Sequence, residues 1–203
     1  MLYKFPTPFV FHTQIDDYEE VNDKLYRVID SRRGQEGRGW GLCDAITTIT
    51  NGEEYNSFLQ DSYFTDRIVW RPMDKMLDEA GDIFTHPKQS KIVNSWYNIY
   101  NKGNFQEIHN HVAPTRSKYF MPTFSCIYIV KLNGKPNSTV FSNYQHIIGN
   151  NTTERQNYDT SREPTIKEGT VLLFPYYLDH WVSPCQTDDR ISITYNITSM
   201  FEG

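Results

Sequence analysis

RISITYNIT, residues 190–198, alternates along its length with a period of two, and that period decides the fold. It reads as a strand, with Arg190 and Ser192 on one face. Working back from it, the same period recurs in SWYNIY (95–100), NFQEIHNH (104–111), FSCIYIVKL (124–132), STVFS (138–142) and GTVLLFP (169–175). Turn signals at Asn133-Gly134 and Glu168-Gly169 separate several of them. Many short strands after a helical lead-in predict a mainly β protein: two sheets in a jelly-roll or cupin-like barrel, with helices packed outside. The aromatic content of 15%, with 14 Tyr and 12 Phe, favours strands as the main material.

The first 90 residues carry the helices. From Asp16, the positions Tyr18, Val21, Leu25, Val28 and Ile29 recur at helical spacing, with Glu19 placed for a capping box and Gly34 as a stop. Residues 31–41 form a glycine-rich loop, residues 45–50 alternate like a strand, and Asn51-Gly52 marks a turn. A second helix is expected over about 64–80, divided at Pro72 and ended by Gly81. At 203 residues the chain suits one domain, with 1–90 as helical support and 91–200 as the jelly-roll core.

Composition narrows the function classes. Twenty basic against 25 acidic residues leave a net charge of −5, which argues against a duplex nucleic-acid footprint. No apolar run is long enough to span a membrane. The N-terminal MLYKFPTPFVFH is too short and proline-interrupted for a secretion signal. Cys43, Cys126 and Cys185 are odd in number and scattered, as expected of reduced thiols in a cytoplasmic protein and not of a disulfide framework or zinc site.

The chemistry sits in FQEIHNHVAP (105–114) and GTVLLFPYYLDHWVSPCQTDDRIS (169–192). His109 and His111 share one strand face, about 7 Å apart along the chain. His180 arrives from a distant strand and can complete a facial set of three imidazoles with open positions for exogenous ligands. Imidazoles favour Fe, Zn, Cu or Ni over Mg and Ca. Glu107, two residues before His109, is an alternative third ligand, whereas Asp179 should point away. Arg190 supplies a planar fork for a carboxylate and Ser192 a hydroxyl beside it. The bland reading pairs Arg190 with Asp188 and Asp189 and leaves Arg32, Arg33 and Arg38 as a solvated cluster. His12, His86 and His146 have no partner pattern.

These residues resemble the iron(II)- and 2-oxoglutarate-dependent oxygenases, which share a double-stranded β-helix, and within them the small oxygenases of phages and marine bacteria that are distant relatives of prolyl hydroxylases. The resemblance rests on Trp96, Asn98, Tyr100 and Gly103, the His109/His111 pair, FSCIYIV, Gly169 to Phe174-Pro175, His180, Arg190-x-Ser192 and Asn196, in the expected order over about 91–198. It implies Fe(II) as cofactor, 2-oxoglutarate and O2 as cosubstrates, and hydroxylation of an unassigned primary substrate, a protein side chain or small molecule. By the same resemblance His109 and His180 match the family's histidines, Arg190 its cosubstrate anchor and Ser192 the helper hydroxyl. Tyr100 and Tyr128, on strands expected to line the barrel, are further cosubstrate contacts. Position 111 departs from the pattern, because an acid is usual there; the His-x-His spelling of the phage subgroup favours His111 over Glu107. The subgroup also points to the cytoplasm of a phage-infected host cell. Residues 112–123 and 143–164 are lid candidates. Two other classes remain: a cupin-like metal enzyme that ignores 2-oxoglutarate, and a non-enzymatic jelly roll.

Overall fold

A computed structural model describes residues 8–39, 45–81, 86–112, 122–134, 138–142 and 157–200. The strands are β1 (Phe11–Gln14), β2 (Gly37–Arg38), β3 (Ile46–Thr47), β4 (Gln89–Tyr100), β5 (Gln106–His109), β6 (Phe124–Lys131), β7 (Thr139–Ser142), β8 (Asn157–Asp159), β9 (Thr170–Pro175), β10 (His180–Val182) and β11 (Arg190–Met200). They form two antiparallel sheets, a large one ordered β1-β9-β6-β11-β4-β3-β2 and a small one ordered β5-β10-β7-β8. This is the mainly β, two-sheet architecture that the period of two predicts.

β11 is the spine of the large sheet, paired along its whole length with β4 and over much of it with β6. Both its faces are buried, and they bury different chemistry. Ile191, Ile193, Tyr195 and Ile197 join the main hydrophobic cluster against the helices. Arg190, Ser192, Thr194 and Asn196 turn the other way and are buried too, between 4% and 7% exposed. Polar side chains on a solvated sheet face need no explanation, but polar side chains buried between layers need partners or a ligand.

The helices cover the far face. α1 (Tyr18–Ser31) buries Val21, Leu25 and Ile29, as its spacing predicts. The expected capping box does not form: Asp17 stands at the N-cap without a side-chain cap bond, and its carboxylate is held instead by Arg67 at 2.6 Å. Gly169, just ahead of β9, has φ +82° and lies so close to α1 that a Cβ there would collide with the Tyr18 ring. After a short α2 (Gly52–Asn56), the second helical stretch comes in pieces: α3 (Ser62–Thr65), a wide π turn over Asp66–Trp70, and α4 (Arg71–Ala80). Pro72 therefore starts α4 instead of dividing a longer helix, since a proline lacks the N–H an interior position would donate. Residues 45–50 supply only the two-residue β3 before the chain turns. Among the described residues no helix is long and apolar enough to cross a membrane.

Candidate metal centre

The small sheet brings the histidines together. His180, first in β10, is the direct cross-strand partner of His109, last in β5, and their ring centroids lie 4.2 Å apart. His111 lies two residues past the end of β5, where its N–H donates to the Tyr176 carbonyl at 2.9 Å. That places its ring 5.5 Å from His109 and 5.0 Å from His180, with one nitrogen of each imidazole within 4.8 Å of the others.

Each ring is held by its other nitrogen. His109 Nδ1 donates to the Glu107 carbonyl at 2.8 Å and His180 Nδ1 to the Leu178 carbonyl at 3.0 Å. His111 Nδ1 lies 2.8 Å from Asn196 Oδ1 and 2.7 Å from Ser125 Oγ. Carbonyl oxygens only accept, so all three Nδ1 atoms carry the proton and all three Nε2 atoms keep a lone pair. Burial lowers all three pKa values, that of His111 to about 3, and repulsion from the neighbouring rings adds to it for His111 and His180. Three neutral imidazoles with lone pairs converging from two strands are a donor set suited to a transition-metal ion such as Fe(II).

Glu107 does not join them. A bulge in β5 sets the span from Gln106 to His109 against only Val182 to His180 on β10. The two-residue alternation expected between Glu107 and His109 is broken there, and Gln106 faces the centre instead. Its Oε1 accepts from the Tyr100 hydroxyl at 2.8 Å. Asp179 also stays outside the cluster, accepting from Asn110 at 2.7 Å.

Beside the histidines is a narrow cavity. Its floor is three cross-strand pairs of β4 and β11: Tyr100 with Arg190, Asn98 with Ser192, and Trp96 with Thr194. The Arg190 guanidinium lies 4.7 Å over the Tyr100 ring, and Nη2 donates to Thr139 Oγ1 at 3.4 Å. The indole N–H of Trp96 is buried and has no acceptor among the described residues. A buried cation beside hydroxyls, with an unsatisfied donor near the metal centre, suits an anionic chelating ligand.

Of the residues singled out in the sequence, His109, His111, His180, Arg190, Ser192 and Tyr100 meet in this cavity. Tyr128 does not. It faces the helices, where its hydroxyl donates to Asn22 Oδ1 at 2.7 Å. Asp189 is taken by Arg33 and Lys131, and Asp188 accepts from the Lys102 N–H. Arg32 lies over the Phe58 and Tyr55 rings, Arg33 also pairs with Asp30, and His86 with Asp78. Of the lid candidates, residues 113–121 and 143–156 lie outside the described residues, as do Cys43 and His146. Trp96, Asn98 and Asn196 enter the sequence reading only as parts of the resemblance, and Gln106, Thr139, Thr194 and Ser125 do not enter it as site residues, yet all line the cavity or bond His111. For those on β4 and β11, the signal was their parity with Arg190 and Ser192.

Residues 94–196 match the protein family described as "Putative 2OG-Fe(II) oxygenase". No curated protein matches by sequence. Among solved structures, an oxidoreductase of the 2OG-Fe(II) oxygenase family from Burkholderia pseudomallei is similar at 16% identity, with 92% of this chain and 84% of that one covered and a TM-score of 0.53. A Pseudomonas putida prolyl-4-hydroxylase is similar at 13% identity, 97% and 95% coverage and a TM-score of 0.56. HygX from Streptomyces hygroscopicus, solved with nickel and 2-oxoglutarate bound, is similar at 13% identity, 96% and 84% coverage and a TM-score of 0.54. At such identities the likeness speaks to the fold, the double-stranded β-helix.

Proposed function

The chain belongs to the 2OG-Fe(II) oxygenase family and is an Fe(II)- and 2-oxoglutarate-dependent oxygenase, and from that premise we propose that it is a hydroxylase whose iron is held by His109, His111 and His180. Arg190 and Ser192 take the far carboxylate of 2-oxoglutarate. When bound, the iron and 2-oxoglutarate supply the oxidation of a C–H bond by O2, with succinate and CO2 as coproducts.

The residues of the chain do the positioning. Arg190, buried and lying over Tyr100, offers its fork to a carboxylate in a site of low dielectric, where a charge-assisted bond is strongest. Trp96 offers its indole N–H near His111, with ring centroids 5.6 Å apart. Ile127 and Val182 give the cavity apolar walls that keep water out. Three neutral ligands leave the metal one charge unit more positive than two histidines and a carboxylate would, which strengthens its attraction for a dianion. Glu107 stays outside this set because of the bulge in β5.

We also propose that the chain is a single domain, since α1, α4 and the large sheet share one hydrophobic cluster. The primary substrate is a protein side chain or small molecule, and unpaired Cys126 and Cys185 fit a cytoplasmic setting.

The observation that carries the proposal is that three Nε2 lone pairs and the Arg190 guanidinium open into one cavity. The test is an anaerobic titration of Fe(II), then 2-oxoglutarate, followed by visible absorbance. A charge-transfer band that needs both and is lost in Arg190→Ala is expected. Iron binding without any response to 2-oxoglutarate would overturn the cosubstrate assignment, and no iron binding would overturn the metal centre.

A further inference from the structure

His111 is anchored differently from its two neighbours. His109 and His180 each donate from Nδ1 to a backbone carbonyl two residues earlier, a local bond that any side chain at that earlier position leaves intact. His111 lies beyond the end of its strand and has no such carbonyl among its bonds. Its Nδ1 meets two side chains of the large sheet, Ser125 on β6 and Asn196 on β11, which are themselves direct cross-strand partners. Ser125 is fully buried and Asn196 is 7% exposed; the Ser125 hydroxyl donates to Asn196 Oδ1 at 2.8 Å. With that hydroxyl proton committed to Asn196, the His111 Nδ1–H has the same oxygen and Ser125 Oγ as acceptors, and its lone pair is fixed on Nε2.

We propose that the Ser125–Asn196 pair is a neutral clamp that positions His111 as the third metal ligand, an inference that rests on the metal centre proposed above. Two hydrogen-bonding side chains from adjacent strands fix both the tautomer and the angle of a ring that no strand of its own restrains. Because Asn196 is an amide and not a carboxylate, the clamp orients the imidazole without adding negative charge. It therefore keeps the third ligand neutral where an acid is usual. Partners of this kind beyond the ligands typically change metal affinity 10–100-fold when removed.

The experiment is a metal titration, with Co(II) and with Fe(II) under anaerobic conditions, of the wild type, Ser125→Ala, Asn196→Ala, Asn196→Asp, His111→Ala and the double variant His111→Ala/Asn196→Ala. Asn196→Ala and Ser125→Ala are expected to weaken binding about 10–100-fold. In the His111→Ala background, Asn196→Ala should add nothing, because the clamp acts only through that ring. Asn196→Asp should push electron density through His111 and move the Fe(II)·2-oxoglutarate charge-transfer band to longer wavelength. Unchanged affinity in both alanine variants, full additivity in the double variant, or an unmoved band in Asn196→Asp would overturn the clamp. Should Asn196→Asp not fold, the affinities of Ser125→Ala and Asn196→Ala decide alone. A wild type that binds no metal defeats the metal centre, whereas a wild type that binds metal with indifferent variants defeats only the clamp.

Discussion

Arg190 and Tyr100 are cross-strand partners on β11 and β4, and the guanidinium of the first lies 4.7 Å over the ring of the second. Tyr100 in turn donates its hydroxyl to Gln106 on the opposite sheet, so one tyrosine braces the cation and ties the two layers together. The strongest test of the cosubstrate assignment follows from that brace. Arg190→Ala should raise the KM for 2-oxoglutarate by about 10–150-fold, the loss expected for a charge-assisted bond worth roughly 1.5–3 kcal/mol. Tyr100→Phe keeps the aromatic face under the guanidinium and should raise that KM much less than Tyr100→Leu. Steady-state succinate formation against 2-oxoglutarate concentration reads all three.

Tyr128 supplies the opposite control. It is as buried as Tyr100, but its hydroxyl reaches Asn22 on α1, on the helical side of the sheet. Tyr128→Phe should therefore cost about 1 kcal/mol of stability and leave the KM for 2-oxoglutarate unchanged. A shift in KM with no loss of stability would place Tyr128 in the site after all.

The contrast between these two tyrosines shows what the sequence could and could not reveal. In RISITYNIT the two faces differ in chemistry, so alternation alone separates the core side from the Arg190 side. In FSCIYIVK both faces are buried and largely apolar, so the side to which Tyr128 turns cannot be read from polarity. The bulge in β5 is likewise silent in EIHNH, because it depends on register with a three-residue partner strand. That strand, β10, is too short to show a period. The histidine set was legible because imidazoles are few; Asn196 and the strand carrying Ser125 belong to the pattern of the resemblance, but their pairing on His111 was not legible, because it depends on the register of β6 with β11.

The bulge makes a prediction of its own about the third ligand. Glu107 lies outside the cavity while His111 lies inside it. Glu107→Gln should hold metal affinity within about twofold, whereas His111→Ala should lower it at least as far as removal of its clamp does, about 10–100-fold. Isothermal titration with Co(II) measures both. A large loss in Glu107→Gln beside a small one in His111→Ala would assign the third position to the acid.

The residue just before Arg190 sets a pH dependence on the fold. Asp189 has φ +61°, in the left-handed region that Asp and Asn tolerate, and its carboxylate bonds Arg33 at 2.5 Å and Lys131 at 2.6 Å. It thereby fastens the end of α1 and the end of β6 to the start of β11. Burial on its own would raise its pKa, but the bonds from Lys131 and Arg33 outweigh burial and hold it below its ordinary value. A carboxyl whose folded pKa is depressed binds its proton more readily in the unfolded chain. Its stabilisation is thus full above the unfolded value of 3.8 and is lost as pH falls through the lower folded value. Asp189→Asn keeps the backbone conformation and removes the charge. It should lower stability at pH 7 by about 1 kcal/mol, the scale of a partly exposed ion pair, and the difference from wild type should shrink as the pH is taken below 4. Denaturant melts of both proteins across that range measure it. A difference that stayed constant with pH would mean that Asp189 acts through the shape of its turn and not through its charge.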